Sequence, residues 1–330
     1  MSIRTAVVGV GSMGNNHARI LSDLAGVDLQ CIVDTNAELG EKMAKKYGTN
    51  HVFSIEEAVK KYDVKNIVIA TPTSTHFTLA QQALALGCNI FLEKPAFKTV
   101  EEGEAFVKLV EEYNNRSVIM VGHIERFNPA VNQLKELILA GELGEIYQID
   151  IRRQGPFPTR IADVGVVLDL CVHDLDILRY LTDSEIKRMA VEASQNLHTS
   201  HEDMIVAILR LSNGTQATLN INWLTPTKNR DIFVICSKGL YQVNLLTQDL
   251  YFYENSANVT NHWENITLLR GVTEGKMTKF LTPKKEPLRL EHECFLETCK
   301  TGEYPHNFVS LKDGIEAVRL AEQMLETMQK

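Results

Sequence analysis

The chain has 330 residues, 34 Lys and Arg against 42 Asp and Glu, and a net charge of −8. That length suits two domains of ordinary size, and an acidic balance without a basic run argues against nucleic acid or an anionic membrane surface as a partner. No apolar run approaches the roughly 18 residues that span a bilayer, and six scattered cysteines with no CxxC pair read as reduced thiols, so the expectation is a cytoplasmic protein without a signal peptide.

An apolar run from Ile3 to Val8 stops at Gly9 and is followed by Gly9-Val-Gly11-Ser12-Met13-Gly14, a helical period over 13–24, and a second apolar run over 28–34 that ends in Asp34. This is a dinucleotide-binding pattern in its context of strand, turn, helix and strand. Gly9 allows the tight turn, Gly11 lets the backbone approach a pyrophosphate, and Gly14 lets the helix sit close to the strand. The helix N-terminus offers free N–H groups and a positive dipole end to phosphates. Asp34 can accept bonds from a ribose diol and would repel a 2′-phosphate; Thr35 and Asn36 follow it rather than an arginine, which favours NAD over NADP.

Strands at 66–70, 89–92 and 117–121 then alternate with helices at 37–47, 74–86 and 100–114. Runs such as Asn66-Ile-Val-Ile-Ala70 are apolar throughout and suit a parallel sheet covered on both faces. Residues 1–122 therefore read as a Rossmann doubly wound parallel sheet. Between strand 66–70 and its helix lies Thr71-Pro72-Thr73-Ser74-Thr75-His76. Thr71, Pro72 and His76 are candidate cofactor contacts, and helix capping by Ser74 or Thr75 is an equal alternative. Glu93-Lys94-Pro95 closes the strand at 89–92, at the sheet edge where ligands bind. A lysine there can stabilise developing alkoxide charge, Pro95 marks a special turn with a possible cis bond, and an ordinary surface Glu–Lys pair is the alternative.

After Gly122 the pattern changes. A helix at 129–140, a strand at 145–153, an irregular stretch over 154–160 and a helix at 168–181 precede strands at 187–195, 203–211, 215–223, 231–237 and 240–244, with helices at 288–301 and 311–328 at the end. Residues 123–330 read as an α+β domain for substrate binding and oligomerisation, built on a large, mostly antiparallel open sheet. Ile205, Ala207 and Leu209 alternate with Val206, Ile208 and Arg210, so both faces are apolar and the open one is expected to pair with another copy in a homodimer or homotetramer. Asp169 and His173 are spaced i, i+4 on one helix face, where a carboxylate can raise the basicity of an imidazole; a plain surface pair is the alternative. His198 and His201 read as a loop rather than as metal ligands, and no metal is expected.

Taken together, Gly9-Val-Gly11-Ser-Met-Gly14, Ala70-Thr-Pro72 with His76, Leu86-Gly87 before Glu93-Lys94-Pro95, Arg126-Phe127-x-Pro129, Gly141-x-x-Gly144 and Asp169-x-x-x-His173 resemble the Gfo/Idh/MocA family of sugar and cyclitol dehydrogenases over nearly the whole chain. The resemblance implies catalytic roles for Lys94 and His173, with Asp169 as the acidic residue of the substrate pocket. It implies NAD held by Gly9, Gly11, Ser12, Met13, Gly14, Asp34, Thr71, Pro72, His76, Glu93 and Lys94. Two departures stand out: Cys171 occupies a position where the family usually has Gly, and Ile124-Glu125-Arg126-Phe127 stands where Asn-Arg-Arg-Phe is common. Gly122-His-Ile-Glu-Arg-Phe-Asn-Pro-Ala130, Arg152-Arg-x-Gly-Pro-Phe-Pro-x-Arg160 and Asp163-Val-Gly-Val166 look like the branch of UDP-N-acetylglucosamine 3-dehydrogenases, which oxidise the sugar 3-hydroxyl to a ketone. A UDP-sugar would then meet Arg152, Arg153 and Arg160 at its diphosphate, a solvated basic face being the alternative for these arginines, with His123 a further substrate-side residue. The alternatives are another sugar or cyclitol dehydrogenase, acting on inositol or a UDP-uronic acid, and a catalytically silent NAD-binding regulator.

Overall fold

The computed structural model describes residues 2–114, 116–158, 164–198, 200–255 and 274–328. The chain divides into two compact units, residues 1–127 with 286–322 and residues 128–285 with 323–330.

In the first unit β1 (Ile3–Val8), β2 (Val27–Val33), β3 (Asn50–Val52), β4 (Asn66–Ile69), β5 (Asn89–Glu93) and β6 (Ile119–Gly122) form a parallel sheet in the order β3-β2-β1-β4-β5-β6. This is the doubly wound order whose switch point lies between β1 and β4. The sheet is covered on both faces, which is why every residue of β4 is buried. Side-chain caps start α2 (Ala37–Tyr47), α3 (Ile55–Tyr62) and α5 (Val100–Tyr113): Asn36 accepts from the Leu39 N–H, Ser54 from Glu57, and Thr99 from Glu102. No side chain caps α1 (Ser12–Asp23), so the N–H groups of its first turn remain available to a ligand. β3 and α3 were not expected from the sequence; β3 has three residues, too few to leave a hydrophobic period. The C-terminal helices α8 (Pro287–Thr301) and α9 (Leu311–Met328) follow. Residues 286–322 pack closely within this unit, because Gly103 and Gly314 leave no room for side chains: a Cβ on them would stand 2.7 Å from Ile315 and 2.6 Å from Val121.

The second unit holds an eight-stranded sheet in the order β14-β13-β12-β11-β7-β10-β9-β8. Its strands are β7 (Ile146–Gln154), β8 (Ile186–Ser194), β9 (Met204–Leu211), β10 (Gln216–Asn222), β11 (Asn229–Cys236), β12 (Gly239–Asn244), β13 (Asp249–Asn255) and β14 (Glu274–Lys279). Neighbours are antiparallel except β7 and β10, which are parallel. Ile205, Ala207 and Leu209 are buried, whereas Val206 and Ile208, on the other face of β9, are 45% and 60% exposed. α4 (His76–Ala85) belongs to the first unit, and α6 (Pro129–Leu139) and α7 (Val172–Thr182) to the second. No described helix is long and apolar enough to cross a membrane.

Candidate active site

The glycine turn after β1 has the geometry its sequence implies. Gly9 has φ +80°, and a Cβ there would lie 2.5 Å from the Thr71 Cγ2. At Gly14 a Cβ would lie 1.8 Å from the Gly9 carbonyl oxygen, so only glycine permits this helix–strand contact. Around Gly11 a Cβ would meet nothing within 4 Å; the backbone there faces open space. That space is a cavity of about 650 Å³ lined by Gly9 to Gly11, Val33 to Thr35, Phe53 to Ile55 and Ala70 to Pro72. Asp34 stands on its wall and straps β2 to the turn, its Oδ2 accepting from the Val10 N–H and its Oδ1 from the Asn36 N–H, both at 2.9 Å. A carboxylate has four acceptor sites, so capacity remains for a ribose diol. The open backbone at Gly11, the uncapped α1 N-terminus and the Asp34 carboxylate fit a dinucleotide.

Thr71 and Pro72 line the same cavity. The Thr75 hydroxyl, which could have capped α4, bonds instead to the Thr71 hydroxyl at 2.7 Å and the Pro72 carbonyl at 2.8 Å. His76 is buried and does not line the cavity. Its Nε2 faces the Thr71 carbonyl at 3.0 Å and its Nδ1 the carbonyls of Pro95 and Ala96 at 3.1 Å. Burial lowers its pKa, with the backbone contacts to Thr71 and Ala96 working the other way. The ring thus ties the Thr71 loop to the turn after Lys94.

At the end of β5 the Lys94–Pro95 peptide is cis. Glu93, 8% exposed, is not one half of a surface pair. Its Oε1 meets His17 Nε2 at 2.8 Å and its Oε2 accepts from the Lys94 N–H at 3.0 Å. His17 Nδ1 in turn meets His292 Nε2 at 2.7 Å. Burial alone would raise the Glu93 pKa; the hydrogen bond from His17 and the adjacent Lys94 outweigh it and hold the carboxyl below its ordinary value. Gly122, the register partner of Glu93 on β6, leaves no spare room, since a Cβ there would stand 3.3 Å from the Glu93 carboxyl carbon.

In the second unit, Asp169 lies in a π-helical turn, Val167–Cys171, that runs directly into α7 and His173. Single π turns inside helices recur at functional sites. Both side chains are half-buried. The turn is anchored by Glu202, whose carbonyl accepts from the Val166 N–H at 3.1 Å and whose Oε1 accepts from the Val167 N–H at 3.0 Å. Gly165 makes room for that carboxylate, which a Cβ would meet at 2.1 Å. Next to Glu202, Asp203 gathers the backbone N–H groups of Asn196, Leu197 and His198 and so holds the loop in shape. His198 and His201 touch as rings, and no group of three or more potential metal ligands exists among the described residues.

The arginines expected together at a diphosphate are not brought together. Arg153 is 2% exposed, and its Nε lies 2.9 Å from both oxygens of Asp174, with Nη2 at 2.8 Å. Arg152 is on the opposite face of β7, paired with Asp150 at 3.1 Å and lying over the Phe233 ring. Successive strand residues must point to opposite faces, so one ligand cannot take both. Arg160 lies outside the described residues. His123 is buried directly after β6. Lys94 belongs to the first unit, and Asp169 and His173 to the second. The sequence reading missed His17, His292 and the Arg153–Asp174 pair. His17 carried a signal: it sits three residues after Gly14, on the face of α1 that Ala18, Ile20 and Leu21 bury, where a polar ring needs a partner.

Family models and individual relatives match this architecture. Residues 3–123 match the Gfo/Idh/MocA oxidoreductase family with its NAD-binding Rossmann fold, and residues 131–242 match the Gfo/Idh/MocA C-terminal domain. A UDP-N-acetylglucosamine 3-dehydrogenase of Acidithiobacillus ferrooxidans is 32% identical over 261 residues, covering 77% of this chain and 78% of that one. A scyllo-inositol 2-dehydrogenase (NAD(+)) of Bacillus subtilis is 33% identical over 190 residues, 56% of this chain and 55% of that one. The solved structure of UDP-N-acetylglucosamine 3-dehydrogenase GnnA from A. ferrooxidans superimposes with a TM-score of 0.87 at 26% identity, covering 100% of this chain and 98% of that one. The chain therefore belongs to the Gfo/Idh/MocA family and is an NAD-dependent oxidoreductase.

Proposed function

We propose that the protein oxidises the 3-hydroxyl of UDP-N-acetylglucosamine to the 3-ketone. The observation that carries this reading is the 32% identity, over 77% of the chain, to an enzyme of that name. The chemistry of the two half-sites supports it. The glycine turn, Asp34, Thr71 and Pro72, with Glu93 and Lys94, would hold NAD, which when bound would supply a hydride acceptor for the carbinol C–H. Lys94 donates to the substrate oxygen and stabilises the charge that develops as its proton leaves. The His173 imidazole takes that proton, and Asp169 one helical turn earlier supports the imidazolium that results. The products are a C=O group, reduced cofactor and a proton on His173.

Arg153 is committed to Asp174, and Arg152 lies on the outer sheet face; neither is assigned here to the diphosphate. That outer face, with Val206, Ile208 and Ile235 exposed, is proposed to pair with a second copy. All six cysteines are free thiols, which supports a reducing, cytoplasmic setting. A cyclitol such as inositol is the second reading, supported by the 33% identity to a scyllo-inositol dehydrogenase.

The test is NADH formation, followed by its near-ultraviolet absorbance, with UDP-N-acetylglucosamine, other UDP-sugars, free sugars and inositols, in the presence of a ketone trap because alcohol oxidation is uphill. Turnover with UDP-N-acetylglucosamine that is lost in Lys94→Ala and in His173→Ala, with NAD binding kept, is the expected result. Turnover with inositols alone would replace the substrate assignment, and full activity in both variants would remove the catalytic one.

A further inference from the structure

His17 and His292 lie behind the strand end that carries Lys94 and take no part in the chemistry above. Both rings are fully buried. They pack edge-on to each other, with centroids 4.9 Å apart, and both lie against Phe91 of β5. His17 comes from α1, Glu93 from β5 and His292 from α8, so three elements of the first unit meet at one line of hydrogen bonds. Their order is His292 Nε2, His17 Nδ1 at 2.7 Å, His17 Nε2, then Glu93 Oε1 at 2.8 Å. The other carboxylate oxygen accepts from the Lys94 backbone N–H at 3.0 Å.

Proton accounting gives this line a direction. Ionised Glu93 is an acceptor only, so His17 Nε2 carries a proton and donates it. His292 Nδ1 is buried without a hydrogen-bond partner among the described residues. If His17 also donated from Nδ1, His292 would have to accept at Nε2 and carry its proton on Nδ1, a buried N–H with no acceptor, which native structures avoid. The arrangement that avoids it has His292 Nε2–H donating to His17 and a bare lone pair on His292 Nδ1. Burial disfavours charge on His292, in keeping with a neutral ring.

We infer that His17 and His292 are positioning residues for Lys94: a buried array, His292 to His17 to Glu93, that orients one carboxylate so that it grips the Lys94 backbone. The inference rests on the reading of Lys94 as the group that holds the substrate oxygen. Each member has a separate duty. His292 fixes which nitrogen of His17 carries the proton. His17 compensates the carboxylate that burial would otherwise protonate. Glu93 spends its second oxygen on the main chain of Lys94. Groups held through such a supporting shell lose rate steeply when displaced.

The experiment uses full-length His17→Leu, His17→Gln and His292→Leu beside Lys94→Ala, with NAD and UDP-N-acetylglucosamine as the probe substrate. His17→Leu should lower kcat about 10- to 100-fold while KM and NAD affinity stay near wild type. It should also add an ionisation to the kcat–pH profile, with activity rising toward high pH as the now unpaired Glu93 loses its proton. His17→Gln, whose amide can still donate to Glu93, should keep most of the rate and lack that ionisation. The other titratable groups nearby, His76, whose ring feels the Glu93 charge, His123 beyond Gly122, and Glu291 beside His292, are the same in every variant. Nitrogen-15 NMR of the histidines gives a readout independent of turnover, with His292 expected neutral and bare at Nδ1. If Lys94→Ala is inactive while His17→Leu keeps wild-type kcat and pH profile, the inference falls and the Lys94 reading stands. If Lys94→Ala is fully active, the Lys94 reading falls and the positioning role with it. An imidazolium at His292 overturns the array itself. Should His17→Leu fail to fold, equal behaviour of His17→Gln and wild type supports the inference, and a rate loss in His17→Gln without a change in pH profile overturns it.

Discussion

Replacing Arg153 by Met tests what holds α7 in place. The Arg153 and Asp174 side chains are 2% and 0% exposed, and three nitrogen–oxygen contacts of 2.8 to 2.9 Å join them. Arg153→Met leaves a carboxylate in the core with its cation gone. Breaking a buried pair on one side costs about 3–5 kcal/mol, because the surviving charge loses its counter-ion. At about 2–4 °C per kcal/mol for a unit of this size, the variant should melt roughly 6–20 °C lower. The double variant Arg153→Met, Asp174→Leu removes both charges and substitutes apolar volume. It should recover most of the loss, since a buried pair is often no better than a hydrophobic filling. The assay is thermal unfolding of wild type, both single variants and the double, with turnover measured on each. A single variant that melts within about 2 °C of wild type, or a double no better than the worse single, would refute the argument. Asp174 follows His173 directly, so a double variant that regains stability without regaining turnover would show the pair acting through the placement of α7.

Gly14→Ala puts a Cβ 1.8 Å from the Gly9 carbonyl oxygen, so α1 must move off the strand, and NAD affinity should fall at least about tenfold; calorimetric titration with NAD checks it, and unchanged affinity would contradict the turn geometry. Asp34→Ala should weaken NAD and narrow its preference over NADP in the same titration. It should also cost about 1–3 kcal/mol of stability, because the N–H groups of Val10 and Asn36 lose their acceptor. His76 and His292 both have folded pKa values lowered chiefly by burial. Below the unfolded value of about 6.5 the unfolded chain binds more protons at these rings than the native chain does, so stability falls with falling pH, by up to about 1.4 kcal/mol per pH unit for each ring. Urea midpoints between neutral pH and pH 5 should therefore drop less in His292→Leu than in wild type, and equal slopes would argue against a buried neutral ring.

What could be read from the sequence, and what could not, divides along the range of the interaction. The β1 turn was legible because each of its glycines answers a local demand, a positive φ at Gly9 and a close approach at Gly14, and local demands leave a fixed spacing. The same holds for the alternating runs that became the parallel sheet. β13 and β14 escaped notice: β14 is Glu-Gly-Lys-Met-Thr-Lys, an edge strand whose charges blunt it against pairing and also erase the apolar alternation that marks a strand. The arginines are the opposite case, where the signal was present and was not applied. The sequence already called for a strand over 145–153. Within it Ile149 and Ile151 point to the buried face, and Arg153 continues that row while Arg152 continues the row of Gln148 and Asp150, as the period of two requires. A buried arginine needs a carboxylate, and Asp174 beside His173 was available to supply it. His292 is different again. Its partner His17 lies 275 residues earlier, and no local period connects the two. A reading by windows assigns α8 to the half of the chain in which it occurs, whereas the fold returns residues 286–322 to the first unit. The ring that completes the line of hydrogen bonds behind Lys94 thus comes from the part of the sequence least informative about it. Local pattern can find the groups proposed to do the chemistry, because these must sit at strand ends and helix turns. The groups that hold them are constrained only to be buried and paired, and burial and pairing are properties of the folded chain.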